Sequence, residues 1–194
     1  MERCGWCGSD PDYIAYHDNE WGQPDVDDAS LFELLMLEGQ QAGLAWITVL
    51  KKRERMRERF FGFDVERLAR AGERNVASWL KDEGLIRHRG KLEALISNAR
   101  IARKLEMPLS ELIWSFVDFQ PVQNRFRTLA DVPAKTPTAE AMSKDLKRRG
   151  FKFVGPTICY AFMQSAGLVN DHLLSCPSHQ PSAEAGRALT RARA

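Results

Sequence analysis

The chain has 194 residues, and its 28 Lys and Arg against 26 Asp and Glu give a formal net charge of +2. This length suits one domain that buries a core without disulfides. No apolar run approaches the roughly 20 residues of a membrane span, and the first residues lack the apolar stretch of a secretory signal. We therefore exclude membrane and secreted classes and predict a cytoplasmic protein, in which the four cysteines are thiols or metal ligands rather than disulfides.

The near-neutral total hides an uneven distribution of charge. Residues 1–40 contain ten acidic residues and a single basic one, Arg3, so this segment carries −9 and the remainder +11. A basic body of this kind suggests a polyanionic partner.

Apolar residues at helical spacing dominate the chain, which predicts a compact all-α fold. Glycine and proline separate the segments, and Asp64 is a typical N-cap residue. The predicted helices cover residues 31–37, 44–55, 64–71, 75–80, 91–105, 138–149 and 156–166. We expect a single domain over residues 1–176, and a disordered tail over 177–194 because that segment is small, polar and basic.

A hairpin of two predicted helices near the C-terminus is a candidate phosphate-binding element. Its turn runs from Gly150 to Gly155, and Pro156 suits the first position of the second helix. A helix N-terminus exposes unpaired N–H groups that bind anions, and Lys147 and Lys152 add positive charge. The pattern resembles a helix–hairpin–helix motif, which holds DNA phosphates without reading sequence. An ordinary αα-hairpin with a basic face explains it equally well.

Cysteine and histidine residues lie near both ends of the chain and suggest a tetrahedral zinc site. Such a site would join the N- and C-terminal regions and restrain the unfolded chain. Two alternatives remain open, because Cys7 can replace His17 and His179 can compete for the ion. The candidate ligands are Cys4, His17, His172 and Cys176.

Tryptophan and tyrosine concentrate in the first 46 residues, where five of the eight occur, whereas nine of the ten phenylalanines lie later. Such rings suit a stacked planar ligand. Glu38 lies among them, at the end of an apolar segment, and is a candidate acid for recognising amine donors or a cation. Core aromatics beside a partly exposed Glu38 are the alternative interpretation.

These segments together resemble the 3-methyladenine DNA glycosylase I family. The resemblance covers residues 1 to about 176. It rests on the segments MERCGW, DPDYIAYHDNEWG, LEGQQAGLAWITVLKKRE, GLIRHRGK, WSFV, KRRGFKFVGPTICYAFMQ and GLVNDH.

The resemblance implies a helix–hairpin–helix DNA repair enzyme that hydrolyses the N-glycosidic bond of 3-methyladenine in double-stranded DNA and leaves an abasic site. It implies structural zinc at Cys4, His17, His172 and Cys176. It also implies that Glu38 hydrogen-bonds the base and that Trp46 stacks on it. The remaining pocket walls are then Tyr16, Tyr13, Trp6 and Trp21.

The implied chemistry is physically coherent. A damaged base must leave the duplex before it can be cleaved, and the charge of N3-methylated adenine favours stacking on aromatic faces. Asp171 is a second candidate acid, with a supporting role on the His172 ring as the alternative. The superfamily's strand-cleaving members carry a lysine nucleophile early in the second hairpin helix. This chain reads Gly155-Pro156-Thr157 there, which predicts no lyase activity.

We expect the basic body to bind DNA phosphates and the protein to act as a monomer. Gly43 and Leu44 are candidates to enter the gap left by a flipped nucleotide. The proposed phosphate contacts are residues 51–53, residues 87–91, Lys147, Lys152 and Gly155. Two other functions compete: a non-catalytic zinc-stapled DNA-binding module and a small-molecule-binding protein.

Overall fold

The structure is a computed structural model that describes residues 2–193, which are mainly helical. The helices are α1 (Pro11–Asn19), α2 (Asp28–Gln41), α3 (Trp46–Leu50), α4 (Arg53–Arg59), α5 (Val65–Arg70), α6 (Glu73–Trp79), α7 (Arg89–Ala102), α8 (Leu109–Trp114), α9 (Pro137–Arg148), α10 (Pro156–Ser165) and α11 (His179–Arg193). Two short strands, β1 (Val122–Gln123) and β2 (Val169–Asn170), pair in parallel with Val122 opposite Val169. No helix in the described range is long and apolar enough to cross a membrane.

Side-chain caps set the starts of several helices. The carboxyl of Asp27 accepts from the Ser30 amide at 2.8 Å, and that of Asp64 accepts from the Arg67 amide at 2.7 Å. Thr136 caps α9 in the same way, and Pro137 and Pro156 occupy the first turns of α9 and α10. These residues satisfy or remove the N–H groups that a helix start leaves unpaired. The predicted all-α character is confirmed for most of the chain.

Helix α2 lies at the centre of the core. It packs against α10, α8, α3 and α7, and Leu31, Phe32 and Leu35 are fully buried. Helix α10 also packs against α9. This arrangement places the C-terminal ends of α2 and α10 side by side, which brings Glu38 next to Ser165.

The predicted break at Gly39 is absent, because α2 continues to Gln41. The Lys91 ammonium group donates to the main-chain oxygens of Gln40 and Ala42, each at 2.7 Å, and thereby caps the end of the helix. The predicted helix over 44–55 is instead two helices, α3 and α4. The glycine at position 39 suits a close approach, since a Cβ there would lie 3.4 Å from Cβ of Phe153.

The predicted disordered tail differs from the structure, because residues 179–193 form helix α11. The Ser182 hydroxyl donates to the Gly22 carbonyl, and Ser182 and Ala183 are buried. The anchoring contacts are a hydroxyl group and small side chains, which carry almost no signal in hydrophobic periodicity. The helix therefore escaped a prediction based on apolar spacing.

Candidate active site and metal cluster

A cavity of about 380 Å³ opens between the N-terminal aromatic residues and the ends of α2 and α10. This volume suits a small planar ligand. All six residues that the sequence placed in the pocket line it. The complete lining is Trp6, Tyr13, Tyr16, Trp21, Glu38, Gln41, Trp46, Leu129, Val132, Ala161, Gln164, Ser165 and Asp171.

Glu38 is the acid at the base of this cavity, and its side chain is almost completely buried at 2% exposure. The Ser165 hydroxyl donates to Glu38 Oε1 at 2.6 Å, while Oε2 has no hydrogen-bond partner in the described residues. Burial raises the pKa of Glu38 to about 8, against an opposing effect of the Ser165 hydrogen bond. A buried carboxyl with one free oxygen is equipped to bind a donor group of a ligand.

Aromatic rings form most of the cavity walls. The ring centroids of Tyr16 and Trp46 lie 5.4 Å apart, and Trp6 contacts both Tyr13 and Trp21 at 5.1 and 4.9 Å. The Tyr16 hydroxyl and the Trp46 Nε1 are buried without partners in the described residues. Burial and the nearby Glu38 raise the pKa of Tyr16, so its hydroxyl stays protonated. The walls thus combine flat apolar faces with unpaired polar atoms.

Asp171 also lines the cavity, and three side chains donate to its carboxyl group. The Tyr160 hydroxyl and the Gln164 amide lie 2.5 and 2.8 Å from Oδ2, and the Asn124 amide lies 2.6 Å from Oδ1. The alternative role of Asp171 as the partner of the His172 ring is wrong, because the His172 Nε2 lies 3.0 Å from the Trp21 carbonyl instead.

The four residues proposed as metal ligands converge although they come from the two ends of the chain. Cys4, His17, His172 and Cys176 are buried, and their ligand atoms all lie within 4.8 Å of one another, so the group could hold a metal ion. Cys7 and His179 lie outside it. The Cys7 thiol donates to the Cys4 carbonyl at 3.2 Å, and the His179 Nε2 lies 3.3 Å from the Asn124 carbonyl.

Neighbouring groups fix the orientation of both histidine rings. The His17 Nδ1 lies 2.8 Å from the Asp18 carboxyl, which leaves its Nε2 facing Cys176 at 3.5 Å. The His172 Nε2 faces the Trp21 carbonyl, which leaves its Nδ1 for the two cysteines. Gly22 has φ of +77°, and a Cβ there would lie 3.0 Å from His172 Nε2, so this close approach requires glycine.

The α9–α10 hairpin is attached to α7 by Asn98. Its side chain accepts from the Lys152 amide at 2.8 Å and donates to the Lys152 carbonyl at 3.0 Å. Lys147 and Lys152 are exposed and form no ion pair with the described residues, whereas Arg148 and Arg149 pair with Asp145. Gly155 forms the N-cap of α10, and a Cβ there would meet no atom within 4 Å.

The other basic residues proposed to bind DNA are already engaged: Lys52 donates to the Glu83 carbonyl, Arg87 pairs with the Glu83 carboxyl and Arg89 with Glu73. Lys91 is buried under the end of α2, which corrects its proposed phosphate contact. Lys51 pairs with Asp10 at 2.5 Å, and Arg53 forms a bidentate pair with Glu20. These residues attach the acidic N-terminal segment to the body.

The loop between α2 and α3 borders the cavity. Gln41 and Trp46 at its two ends line the cavity, and Leu44 between them is 40% exposed. Gly43 has φ of +78° in open space. The loop therefore presents an exposed apolar side chain beside the cavity.

The profile of the methyladenine glycosylase family matches residues 6–179. The chain belongs to this family. It is 54% identical over 187 residues to DNA-3-methyladenine glycosylase 1 of Escherichia coli, an alignment that covers 93% of this chain and all of the relative. A crystal structure of 3-methyladenine DNA glycosylase I aligns with a TM-score of 0.91 at 54% identity, covering 92% of this chain and 100% of the other.

A third comparison involves a methyladenine glycosylase with a bound base. A tyrosine-to-phenylalanine variant of 3-methyladenine DNA glycosylase I, in complex with 3-methyladenine, aligns with a TM-score of 0.89 at 38% identity. The alignment covers 92% of this chain and 98% of the other.

Several cavity residues of this methyladenine glycosylase were missed in the sequence. Ser165 and Gln164 lie on α10, and Leu129 and Val132 lie in the segment before α9. They come from positions more than 80 residues beyond the aromatic cluster, so no local spacing links them to it. Ser165 carries a weak signal, as a polar residue at the end of an otherwise apolar helix.

Proposed function

We propose that this protein is a DNA-3-methyladenine glycosylase that removes 3-methyladenine from alkylated double-stranded DNA and leaves an abasic site. The observation that carries the proposal is the aromatic cavity with Glu38 at its base. Family membership and the named activity of the relatives support it. A non-catalytic DNA-binding module has no use for such a cavity. We further propose that the protein acts in the cytoplasm as a monomer.

The flipped base would be held by stacking and by hydrogen bonds. A cationic ring stacked on Trp46 gains a cation–π contribution, with Tyr16, Tyr13, Trp6 and Trp21 forming the other walls of the cavity. The free Oε2 of Glu38 would accept from the exocyclic amino group of the base. A cation in the cavity favours the ionised form of Glu38, because an opposite charge offsets the effect of burial. Recognition and charge compensation thus reside in one carboxyl group.

Bond cleavage then needs little acid assistance. When the C1′–N9 bond breaks, its electron pair passes to the cationic base, which leaves as neutral 3-methyladenine. The sugar develops oxocarbenium character, and water adds to C1′ and loses a proton. An anion nearby stabilises the developing charge, a role we assign to Glu38. Asp171 is held in reserve, because its two oxygens already accept three hydrogen bonds from neighbouring side chains.

The second hairpin helix carries no lysine at its start, where the sequence is Gly155-Pro156-Thr157-Ile158. Without an amine nucleophile no Schiff base forms with the sugar. We therefore propose a monofunctional glycosylase. Purified enzyme should yield abasic DNA and no β-elimination product beyond spontaneous decay.

We propose structural zinc in the group of Cys4, His17, His172 and Cys176. For tetrahedral zinc, with Zn–S of about 2.3 Å and Zn–N of about 2.0 Å, the S···N separation is about 3.5 Å. The S···N distances in the structure are 3.5, 3.6 and 3.7 Å, which supports this ion. Bound zinc would join residues from both ends of the fold, and no step of the reaction passes through it.

For DNA, we propose that the α9–α10 hairpin acts as a helix–hairpin–helix motif. Lys147, Lys152 and the amides that follow Gly155 would bind phosphate oxygens. Gly43 and Leu44 would enter the gap left by the flipped nucleotide. Both regions are exposed in the structure.

The decisive experiment is chromatography of the bases that the protein releases from methylated duplex DNA. We expect free 3-methyladenine from the native enzyme and at least tenfold slower release from Glu38→Ala and Glu38→Gln. Full activity of both variants would show that base release does not require Glu38, and Asp171 would then be the candidate catalytic acid. No released base from folded, metal-loaded protein would overturn the glycosylase function.

A further inference from the structure

The segment of residues 125–132, here called the rim segment, forms an exposed edge of the cavity that the proposed function does not use. Leu129 lines the cavity and is nevertheless 45% exposed, the largest exposure among the large apolar side chains of the described residues. Val132, from the same segment, also lines the cavity. Leu129 is therefore an exposed apolar side chain at the edge of the cavity, beside the position of any DNA that delivers a base to it.

Hydrogen bonds to one carboxyl group order the backbone of the rim segment. The Asp131 carboxyl accepts from the amides of Arg127 and Thr128 at 3.2 and 2.9 Å, and from the Thr128 hydroxyl at 3.0 Å. Leu129 lies against the turn that carries Trp6, since a Cβ on Gly5 would meet Leu129 Cδ1 at 3.7 Å. Leu129 therefore lies at the edge of the cavity without a bound ligand.

Further hydrogen bonds connect this segment to the cavity floor and the metal cluster. Asn124, directly before the segment, donates to Asp171 at 2.6 Å, and the Leu174 amide donates to the Phe126 carbonyl at 2.9 Å.

Two arginines extend the apolar edge with positive charge. Arg125 and Arg127 are both exposed, and neither forms an ion pair with a carboxyl group in residues 2–193. Most other arginines in the structure pair with acids, including Arg53, Arg57 and Arg89. Exposed arginines that form no ion pair, beside an exposed leucine, match the chemistry of a nucleic-acid surface, in which phosphates flank an apolar base stack; the Asp131 carboxylate also attracts Arg127.

Resting on the proposed function, we propose that the rim segment is a second DNA-binding element of this enzyme. Leu129 packs against the duplex at the site of the flipped nucleotide, and Arg125 and Arg127 bind the flanking phosphates. Leu44 and Leu129 lie on two separate chain segments, and each would present an apolar side chain to the duplex beside the cavity. Duplex DNA is thus held around the cavity mouth and not only through the α9–α10 hairpin.

The test compares binding of two ligands by the full-length, metal-loaded protein. The first is a duplex with a central tetrahydrofuran abasic analogue, followed by fluorescence anisotropy. The second is free 3-methyladenine, followed by tryptophan quenching. For Leu129→Ala we expect about tenfold weaker duplex binding, since burial of a leucine contributes about that factor or more, with less than about threefold weaker binding of the free base. Val26→Ala, which removes an apolar side chain of 40% exposure outside the cavity, is the matched control.

Salt dependence tests the arginines. Arg125→Ala combined with Arg127→Ala should reduce the slope of log K against log salt by about two, because each lost phosphate contact removes about one unit. Arg74→Ala is the control, since Arg74 on α6 is likewise exposed and forms no ion pair in the described residues. An unchanged slope in the double variant would overturn the phosphate contacts.

Equal losses of duplex and free-base affinity in Leu129→Ala would show that Leu129 acts only as a wall of the cavity. Unchanged duplex affinity would show that Leu129 does not contact the DNA. Either result contradicts the proposal. If the native protein binds the abasic duplex in a Leu129-dependent way but releases no methylated base, the proposed function fails and the rim segment stands. If it releases 3-methyladenine but binds the abasic duplex no more weakly after the Leu129 substitution, the rim segment fails and the proposed function stands.

Discussion

At the scale of single residues, Glu38 imposes an electrostatic cost on the folded protein. Its pKa of about 8 exceeds the ordinary value of 4.5 because burial disfavours the charged form. Below pH 4.5 both the folded and unfolded states hold the proton. Between pH 4.5 and 8 the unfolded chain releases it while the folded protein retains it, so the free energy of unfolding decreases as the pH rises. Above pH 8 the decrease is complete.

Glu38→Gln removes this titration. Relative to the native protein, the free energy of unfolding of the variant should increase between pH 4.5 and 8, by up to about 5 kcal/mol at the limit set by the shift. Urea unfolding at several pH values measures it. Glu83→Gln, at an exposed carboxyl on the surface, should instead follow the native curve. Parallel curves for Glu38→Gln and the native protein would show that Glu38 ionises in the folded cavity as it does in water.

At the scale of elements, the α9–α10 hairpin depends on a residue outside it. Asn98 on α7 makes two hydrogen bonds to the main chain of Lys152, and the Ser143 hydroxyl donates to the Val154 carbonyl at 2.6 Å. These bonds fix the turn that precedes Gly155. The orientation of the proposed phosphate-binding amides is therefore set by α7 as well as by the hairpin sequence.

Asn98→Ala should weaken binding of duplex DNA more than binding of free 3-methyladenine, because it releases the turn and leaves the cavity intact. Loss of two hydrogen bonds to buried groups should also lower the free energy of unfolding by about 1–3 kcal/mol. Fluorescence anisotropy measures the duplex affinity, tryptophan quenching the free-base affinity, and urea unfolding the free energy of unfolding. Asn75→Ala, which removes a half-buried amide side chain at the start of α6 and away from the hairpin, is the control and should leave duplex binding unchanged. Native affinity for duplex in Asn98→Ala would contradict the role.

How far each element could be predicted depends on the range of its contacts. Asp64 and Pro156 mark helix starts through local hydrogen bonding and local sterics, so their helices were predicted near their observed bounds. The α2 helix continues past Gly39 because Lys91, 51 residues away, caps its end. The base-binding acid Glu38 was found through its aromatic surroundings, but its partner Ser165 is 127 residues away and no spacing rule connects them.

At the scale of the whole molecule, the cavity and the metal cluster share walls. Trp6 lies 5.2 Å from the His17 ring, and Trp21 lies 4.7 Å from the His172 ring, centroid to centroid. Both tryptophans also line the cavity. Two of the rings that would receive the base therefore pack directly against the proposed metal ligands. Loss of the ion should thus lower the free energy of unfolding and alter the shape of the cavity.

Cys176→Ser should remove the metal, lower the free energy of unfolding by several kcal/mol and change the tryptophan emission of the folded protein, because Trp6 and Trp21 lose fixed neighbours. Elemental analysis, urea unfolding and fluorescence measure these effects. Cys159→Ala, which alters a buried thiol on α10 outside the cluster, should keep one zinc ion per chain. A native protein that purifies without metal and binds none would overturn the zinc proposal.

The distance along the chain between the cluster residues has a consequence for biosynthesis. Cys4 and His172 meet although 168 positions separate them, so the cluster is incomplete until a ribosome has translated residues 172–176. Trp21 packs against the His172 ring and lacks this contact until that point. A nascent chain that ends before His172 therefore has no finished pocket for a flipped base.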